Sequence, residues 1–145
     1  WQFAFDQILT NESDFPTLTS SPYGYGFGDL TAGTVGPKVT INLSSAGYVY
    51  VDYSAMISHA ITGYTGYIDV EVSGSTTITG SADSTGGVAT AHGAASPGYS
   101  FGMTTSGNRQ LYLNAGSNTI KLVYGKDGGS TWSTWARYIK VMYQA

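Results

Sequence analysis

The chain has 145 residues, of which 41% are hydrophobic, 14% aromatic and only 10% charged, a composition typical of one all-β domain at an extracellular location. The net charge of −3 without a basic cluster argues against a nucleic-acid partner, and no apolar run reaches the roughly 18 residues of a membrane-spanning helix. The absence of Cys excludes disulfides, Cys-ligated zinc and a thiol nucleophile, so burial of surface in an oligomer is one expected source of stability.

The N-terminal segment Trp1–Leu9 alternates aromatic residues with polar or small ones, and Trp1, Phe3 and Phe5 share one face. An alternation with a period of two, rich in β-favouring residues, predicts a strand. We interpret the aromatic face of this strand as part of a sandwich core. The alternative is an interfacial or exchanged strand, because such an aromatic face otherwise needs cover.

The segment Ser20–Gly36 has no hydrophobic period and is predicted to be a long loop. Its spaced glycines imitate a phosphate-binding loop, but the pattern lacks the buried strand before it and the helix after it that such a loop requires. We therefore interpret its aromatic residues as surface or subunit contacts, namely Tyr23, Tyr25 and Phe27.

Two strands are predicted next, Lys38–Leu43 and Tyr48–His59, each with an apolar residue at every second position. Their predicted core residues are Val39, Ile41, Leu43, Val49, Val51, Tyr53, Ala55 and Ile57. The opposite face of the longer strand carries Tyr48, Tyr50 and Asp52. Two tyrosines beside an Asp suit a subunit interface that is partly wet.

The next predicted strand, Tyr67–Ser73, places its aliphatic residues inward and Asp69 and Glu71 outward in water. Two carboxylates on one strand face lie roughly 7 Å apart from the rise per residue alone. A glycosidase also uses two carboxylates, but it holds them in a cleft, whereas this face is predicted to be solvated.

The segment 74–98 is dominated by Ser, Thr, Gly and Ala and is predicted to be a long loop with weak strands at 76–79 and 88–92. A further strand is predicted at 99–105, followed by a turn at 106–108.

The C-terminal region has the cleanest alternation and predicts three strands, Arg109–Leu113, Thr119–Tyr124 and Thr131–Tyr143. Turn clusters at 114–118 and 125–130 separate them, and Asn114 and Gly116 are able to adopt positive φ. Tight turns between successive strands predict an antiparallel meander. Near the start of the last strand, Arg137 is expected to reach water. The whole chain, 1–145, is predicted to be a single antiparallel β-sandwich of the jelly-roll type, with about 8–10 strands and no significant helix.

One catalytic motif is present, because Gly98–Gly102 matches the G-x-S-x-G nucleophile elbow. The elbow requires a strand-to-helix turn and a downstream His, whereas this sequence continues as a strand and both His59 and His92 precede the serine. Two histidines are too few for a His-built metal centre, and no spacing supports a site completed by Asp52, Asp69 or Asp83. Calcium bound by acidic loop residues such as Asp83 or Asp127 is a minor alternative. We therefore expect no enzymatic activity, no cofactor and no metal.

Two phrases of the sequence follow a family pattern. One combines a Leu-x-x-Gly-x-x-Thr strand, a Gly-Gly turn and an Arg-containing last strand, here Leu113, Gly116, Thr119, Tyr124, Gly128, Gly129 and Arg137. The other is Val35–Thr40 followed by Gly47. This pattern resembles small jelly-roll domains of structural proteins from tailed bacteriophages, which are similar to the trimeric C1q/TNF-like jelly rolls. The chain departs from that pattern by having Trp132 and Trp135 where the family has an aliphatic residue or Phe.

The resemblance implies a non-enzymatic virion surface protein, in the first place a capsid decoration (cement) protein that forms a homotrimer. Its partners would be its own copies and the major capsid protein or another virion protein. The trimer would sit on a local threefold axis of the shell and hold neighbouring subunits together. The segment with Trp1, Phe3 and Phe5 is the candidate contact, because a terminal strand can extend a neighbour's sheet.

The alternative is a receptor- or glycan-binding domain at the tip of a tail fibre. Exposed aromatic rings stack on sugar rings, and the candidates for contact with a host-surface glycan are Tyr64, Tyr67, Trp132 and Trp135. Because the two tryptophans are three positions apart, a regular strand points them to opposite faces. One would then enter the core, and the other would need a partner chain to cover it.

Overall fold

The structure is a computed structural model that describes residues 1–10, 12–13, 20–21, 24–25, 36–59, 65–79, 93–94, 103–126 and 132–145. The regular structure in these ranges consists of β-strands alone. Within the same ranges, no helix has the length and apolarity needed to cross a membrane. The predicted weak strand at 88–92 lies outside the described residues.

The described ranges contain eleven strands, four of which have only two residues. In chain order they are β1 (Gln2–Ile8), β2 (Glu12–Ser13), β3 (Ser20–Ser21), β4 (Gly24–Tyr25), β5 (Lys38–Leu43), β6 (Gly47–His59), β7 (Thr65–Gly74), β8 (Gly93–Ala94), β9 (Met103–Leu113), β10 (Gly116–Lys126) and β11 (Trp132–Tyr143).

Two antiparallel sheets pack face to face. The first sheet has the strand order β1-β11-β6-β9, with β2 paired to β11, and the second has the order β5-β10-β7-β8. Every second residue of each long strand points into the space between the sheets. The buried core consists of Val39, Ile41, Leu43, Val49, Val51, Tyr53, Ala55, Ile57, Ile68, Val70, Val72, Leu111, Leu113, Ile120, Leu122, Tyr124, Ile139 and Val141. The predicted jelly-roll β-sandwich is confirmed.

The C-terminal strands do not form the predicted meander. β9 and β11 lie in the first sheet, on either side of β6, whereas β10 lies in the second sheet between β5 and β7. The short link Asn114–Ala115 therefore crosses from one sheet to the other. The side-chain amide of Asn118 supports this link by donating to the carbonyls of Asn114 and Gly116, at 2.9 and 3.1 Å. Alternation predicts strands but does not decide whether neighbours in sequence pair or pack across the core.

β9 is a single strand, so the predicted turn at 106–108 is wrong. Ser106, Gly107 and Asn108 pair with the middle of β6. The 13 residues of β6 offer an uninterrupted row of backbone partners, and unpaired backbone groups are costly when buried. The backbone pairing with β6 therefore outweighs the local preference of Ser-Gly-Asn for a turn.

The prediction that Arg137 reaches water is also wrong, because this residue is buried beside a β-bulge in β11. The pairing with β6 gains one residue between Trp135 and Tyr138, and Ala136 there has a φ of 46°. The extra residue reverses the alternation, so Thr134 and Arg137 both point inward and are fully buried. The guanidinium of Arg137 donates to the Tyr124 hydroxyl at 3.4 Å and to a backbone carbonyl of the N-terminal segment at 3.3 Å.

Asp69 is buried rather than solvated, which corrects a second expectation. Its carboxylate forms a salt bridge with Arg109 of β9 at 3.1 Å and accepts a hydrogen bond from the Tyr53 hydroxyl at 3.4 Å. This ion pair links the two sheets through the core. Glu71 behaves closer to expectation, because it is half-buried in a salt bridge with Lys121 at 3.1 Å.

Two glycines have backbone conformations that other residues rarely adopt. Gly116, at the start of β10, has a φ of 106°, and Gly74, at the end of β7, has a φ of 110°. A Cβ atom on Gly74 would meet the backbone oxygen of Ser117. These two positions hold the ends of β7 and β10 close together.

Candidate functional site

The outer face of the first sheet, which we call the aromatic face, is the candidate functional surface. Its side chains form rows across the four strands, because strand register places every second residue of each strand on this side. One row is Phe3, Met142, Tyr50 and Gln110. The aromatic face consists of Trp1, Phe3, Phe5, Tyr48, Tyr50, Asp52, Asn108, Gln110, Tyr112, Tyr138, Lys140 and Met142.

The aromatic residues of β1 point away from the core, so the interpretation of that face as a core face is wrong. Ala4, Asp6 and Ile8 point inward instead. Asp6 explains this choice, because its carboxylate accepts the backbone N–H of Lys38 at 2.9 Å and ties β1 to the start of β5. Pairing with β11 and this hydrogen bond outweigh the larger apolar area of the opposite face.

Most of the exposed apolar surface is concentrated on the aromatic face. Six of the seven exposed large hydrophobic side chains among the described residues lie on it, with exposed fractions between 40% for Tyr50 and 64% for Trp1. At roughly 200 Å² per aromatic side chain, these six leave about 650 Å² accessible to solvent. The largest apolar patch on a typical monomer covers about 300–600 Å², and larger patches mark interaction sites.

Ring contacts hold the aromatic face in a defined shape. Trp1 and Tyr50 have ring centroids 5.9 Å apart, and Phe5 and Tyr138 have centroids 6.1 Å apart. Tyr48 and Tyr112 meet edge to face at 5.1 Å. Such pairs contribute about 0.5–1.5 kcal/mol beyond burial, so these rings form an ordered platform.

The two charged side chains of the aromatic face lie at its centre. Lys140 of β11 and Asp52 of β6 are opposite each other in register. They nevertheless form no salt bridge, and the ammonium of Lys140 lies 5.0 Å from the centroid of the Phe3 ring. Within the described ranges, the Asp52 carboxylate has no hydrogen-bond or ionic partner.

Asp52 borders an open depression of about 360 Å³ that is lined by Tyr50, Val51, Asp52, Asn108, Arg109, Gln110 and Met142. The amide of Gln110 donates to the Tyr50 hydroxyl at 3.1 Å and fixes one wall. Arg109 contributes to the lining while its guanidinium is paired with Asp69. The depression therefore presents a carboxylate and two amides among apolar groups.

The structure describes only some of the contact residues predicted from the sequence. It brings Trp1, Phe3 and Phe5 together on the aromatic face. Tyr67 and Trp135 are half-buried, on different sheets. Tyr25 and Trp132 lie in β4 and β11, with only their backbone described. The remaining three, Tyr23, Phe27 and Tyr64, lie outside the described residues.

Most residues of the candidate catalytic and metal-binding motifs also lie outside the described residues. Gly98–Gly102, His92, Asp83 and Asp127 lie outside the described residues, and His59 is the last residue of β6. Across the described ranges, no three His, Asp or Glu side chains come together as a metal site would require.

The sequence did not predict the part of the aromatic face that lies on β9. Asn108, Gln110 and Tyr112 alternate with buried residues in one strand, but the expected turn at 106–108 hid this pattern. The signal that could have identified them is their register with Tyr48, Tyr50 and Asp52 of β6, the residues that the sequence did assign to an interface.

No family model and no curated protein matches the chain. A solved structure of infectious bursal disease virus, strain Gx, is similar with a TM-score of 0.56 and 12% identity, over 97% of this chain and 31% of that chain. The crystal structure of the T13 particle of the same virus gives a TM-score of 0.54 and 12% identity, over 98% of this chain and 31% of that chain. The chain thus spans about a third of the length of these viral chains.

Shorter proteins are similar over their whole length. The globular domain of zebrafish complement 1qA protein is 12% identical over 97% of this chain and 98% of its own, with a TM-score of 0.45. A family 35 carbohydrate-binding module from Clostridium thermocellum is 14% identical over 99% of this chain and 100% of its own, with a TM-score of 0.43. At these identities the similarities to the viral structures show the fold alone.

Proposed function

We propose that this chain is a non-enzymatic virion surface protein that assembles with copies of itself through the aromatic face and decorates the capsid of a tailed bacteriophage. The observation that carries the proposal is the concentration of exposed aromatic side chains on one sheet face. About 650 Å² of aromatic surface approaches the roughly 800 Å² that each partner contributes to a standard protein interface.

The composition of the aromatic face supports an interface between proteins. Interface cores are enriched in Tyr, Trp, Phe and Met and poor in charged residues. The aromatic face has all four of these residue types and only two charged side chains, Asp52 and Lys140. Because those two charges have opposite sign, a face covered by a second copy carries no net charge on either side.

Two further observations favour copies of the same chain on a viral shell. The C-terminal sequence pattern resembles trimeric jelly rolls of phage structural proteins, which favours a homotrimer. The same fold occurs in the T13 particle of infectious bursal disease virus. In the proposed trimer, each copy covers the aromatic face of another, and the major capsid protein or another virion protein binds the outer surface of the ring.

The test is the amount of this chain in purified virions that carry it. A decoration protein is expected in amounts comparable to the major shell protein, because it occupies repeated sites of the lattice. Recovery of only a few copies per particle would contradict decoration. If those copies also bound glycans and lost binding on Trp132→Ala or Trp135→Ala, the tail-fibre tip would be the better account.

A further inference from the structure

The unpaired carboxylate of Asp52 is the feature of the aromatic face that the proposed assembly has to accommodate. It lies beside the depression, among Tyr50, Met142 and the amides of β9. Covering the face removes water from this carboxylate, and a buried charge without a partner is strongly unfavourable. Whatever covers the face must therefore bring a cation or several hydrogen-bond donors to Asp52.

We propose that Asp52 of one copy accepts Lys140 of the neighbouring copy, an inference that rests on the self-association proposed above. Lys140 is the one cationic side chain among the described residues of this face. Its ammonium lies over the Phe3 ring rather than on the Asp52 carboxylate of its own chain. It is therefore available to a second carboxylate at the cost of one exposed cation–π contact, which is a weak interaction.

The positions of the two residues fit such an exchange. β11 and β6 are the two middle strands of the first sheet, and Lys140 and Asp52 lie in the same row. When three copies turn their aromatic faces towards a threefold axis that runs along the strands in front of β11 and β6, β11 of each copy lies against β6 of the next. Lys140 of each copy then lies over Asp52 of its neighbour.

The same exchange closes a ring. In a cyclic trimer each copy donates one Lys140 and accepts one at Asp52, so that three equivalent ion pairs form. Because opposite charges must meet at the centre of an apolar contact, the exchange also fixes the register in which copies associate. Misplaced copies would leave both charges buried without partners.

Charge reversal tests this inference. The variants are Asp52→Lys, Lys140→Asp and the double variant with both changes, and the measurement is the dissociation constant of the assembly from light scattering over a dilution series. Each single reversal brings like charges together and is expected to weaken assembly roughly 100-fold. The double variant restores opposite charges between copies and is expected to return to within roughly tenfold of the original protein.

Two controls separate this contact from other effects. The double variant Asn42→Asp, Ser44→Asp makes the same change in net charge as Lys140→Asp, but at exposed positions in and beside β5 of the opposite sheet, and should leave assembly unchanged. Urea unfolding of the dilute single chain should shift only slightly in the variants, since Lys140 and Asp52 form no salt bridge within it and Lys140 makes one exposed cation–π contact. A single reversal without effect, or a double variant that stays dissociated, overturns the inference. A wild-type protein that never associates overturns the proposed function as well.

Discussion

The inner and outer faces of the first sheet share the same four strands and the same alternation of side chains, and they differ in what covers them. The inner residues of β6, from Val49 to Ile57, are buried against the second sheet. On the outer side of the same strand, Tyr48 is 58% exposed. The carboxylates of the two faces differ in the same way. Asp69 is paired with Arg109 in the core, whereas Asp52 on the outer face has no such partner among the described residues.

This difference shows that the apolar character of a face does not by itself decide which face forms the core. Phe3 and Phe5 are the more hydrophobic choice in β1, yet Ala4 and Asp6 point inward. A face that is apolar, ordered by ring contacts and exposed is the expected state of a subunit seen without its partners. Substitutions that change one face at a time separate the roles of the two faces, and their expected effects on the free energy of unfolding of the single chain decrease from the interior to the aromatic face.

The largest effect is expected in the interior, at the ion pair that joins the sheets. Asp69→Asn removes the negative charge and leaves Arg109 buried without its counter-ion. Loss of one partner of a buried pair lowers the free energy of unfolding by about 3–5 kcal/mol. Urea denaturation measures this change. The matched control is Glu71→Gln, whose half-exposed pair with Lys121 should contribute less than about 1 kcal/mol. Equal effects of the two variants would contradict the assigned roles.

A smaller effect is expected at the end of β7. Gly74→Ala forces an L-residue into a φ of 110° and makes its Cβ collide with the backbone oxygen of Ser117, which should lower the free energy of unfolding by about 1–3 kcal/mol. Gly47→Ala is the control, because a Cβ there meets nothing within 4 Å. Thermal unfolding compares the stability of the two variants. A Gly74 variant as stable as the Gly47 variant would show that position 74 does not require glycine.

The smallest effect on the single chain, and the largest on assembly, is expected on the aromatic face. The double variant Phe3→Ser, Phe5→Ser removes exposed rings with one ring pair and one cation–π contact, and should lower the free energy of unfolding by about 0.5–1 kcal/mol per site. It should nevertheless prevent assembly, because it removes a large part of the proposed contact. Leu9→Ser is the control, since Leu9 is 68% exposed but lies outside the aromatic face. Light scattering measures the assembly of the double variant and of Leu9→Ser. Loss of assembly in the Leu9 variant alone would contradict the assignment of the contact to the aromatic face.

Much of the fold could be predicted from alternation because most strands have one clearly apolar side. Lys38–Leu43 matches its predicted bounds, and β6 begins one residue before the predicted strand Tyr48–His59. The sheet order could not be predicted, because short turns such as Asn114–Ala115 serve a crossing between sheets as well as a hairpin. The inward position of Thr134 depends on a bulge at Ala136, which no local pattern indicates. Arg137 shares the alternation of Ile139 and Val141, but its burial depends on partners far away in the sequence, such as the N-terminal segment.

Part of the candidate site could be predicted in the same way. Tyr48, Tyr50 and Asp52 were identifiable as one exposed face because a strand with a good core side carries them on its other side. The outward orientation of Trp1, Phe3 and Phe5 could not be predicted. It depends on a hydrogen bond between Asp6 and Lys38, residues 32 positions apart. The central position of Lys140 beside Asp52 likewise follows from strand order and register.

The native mass of the purified protein, measured by light scattering across a concentration series, tests the central claim most directly. We expect a mass three times that of the 15.3 kDa chain, falling to the mass of one chain when Phe3 and Phe5 are replaced by Ser. A wild-type protein that keeps the mass of one chain at the highest concentration it reaches would contradict an aromatic face covered by copies of the same chain.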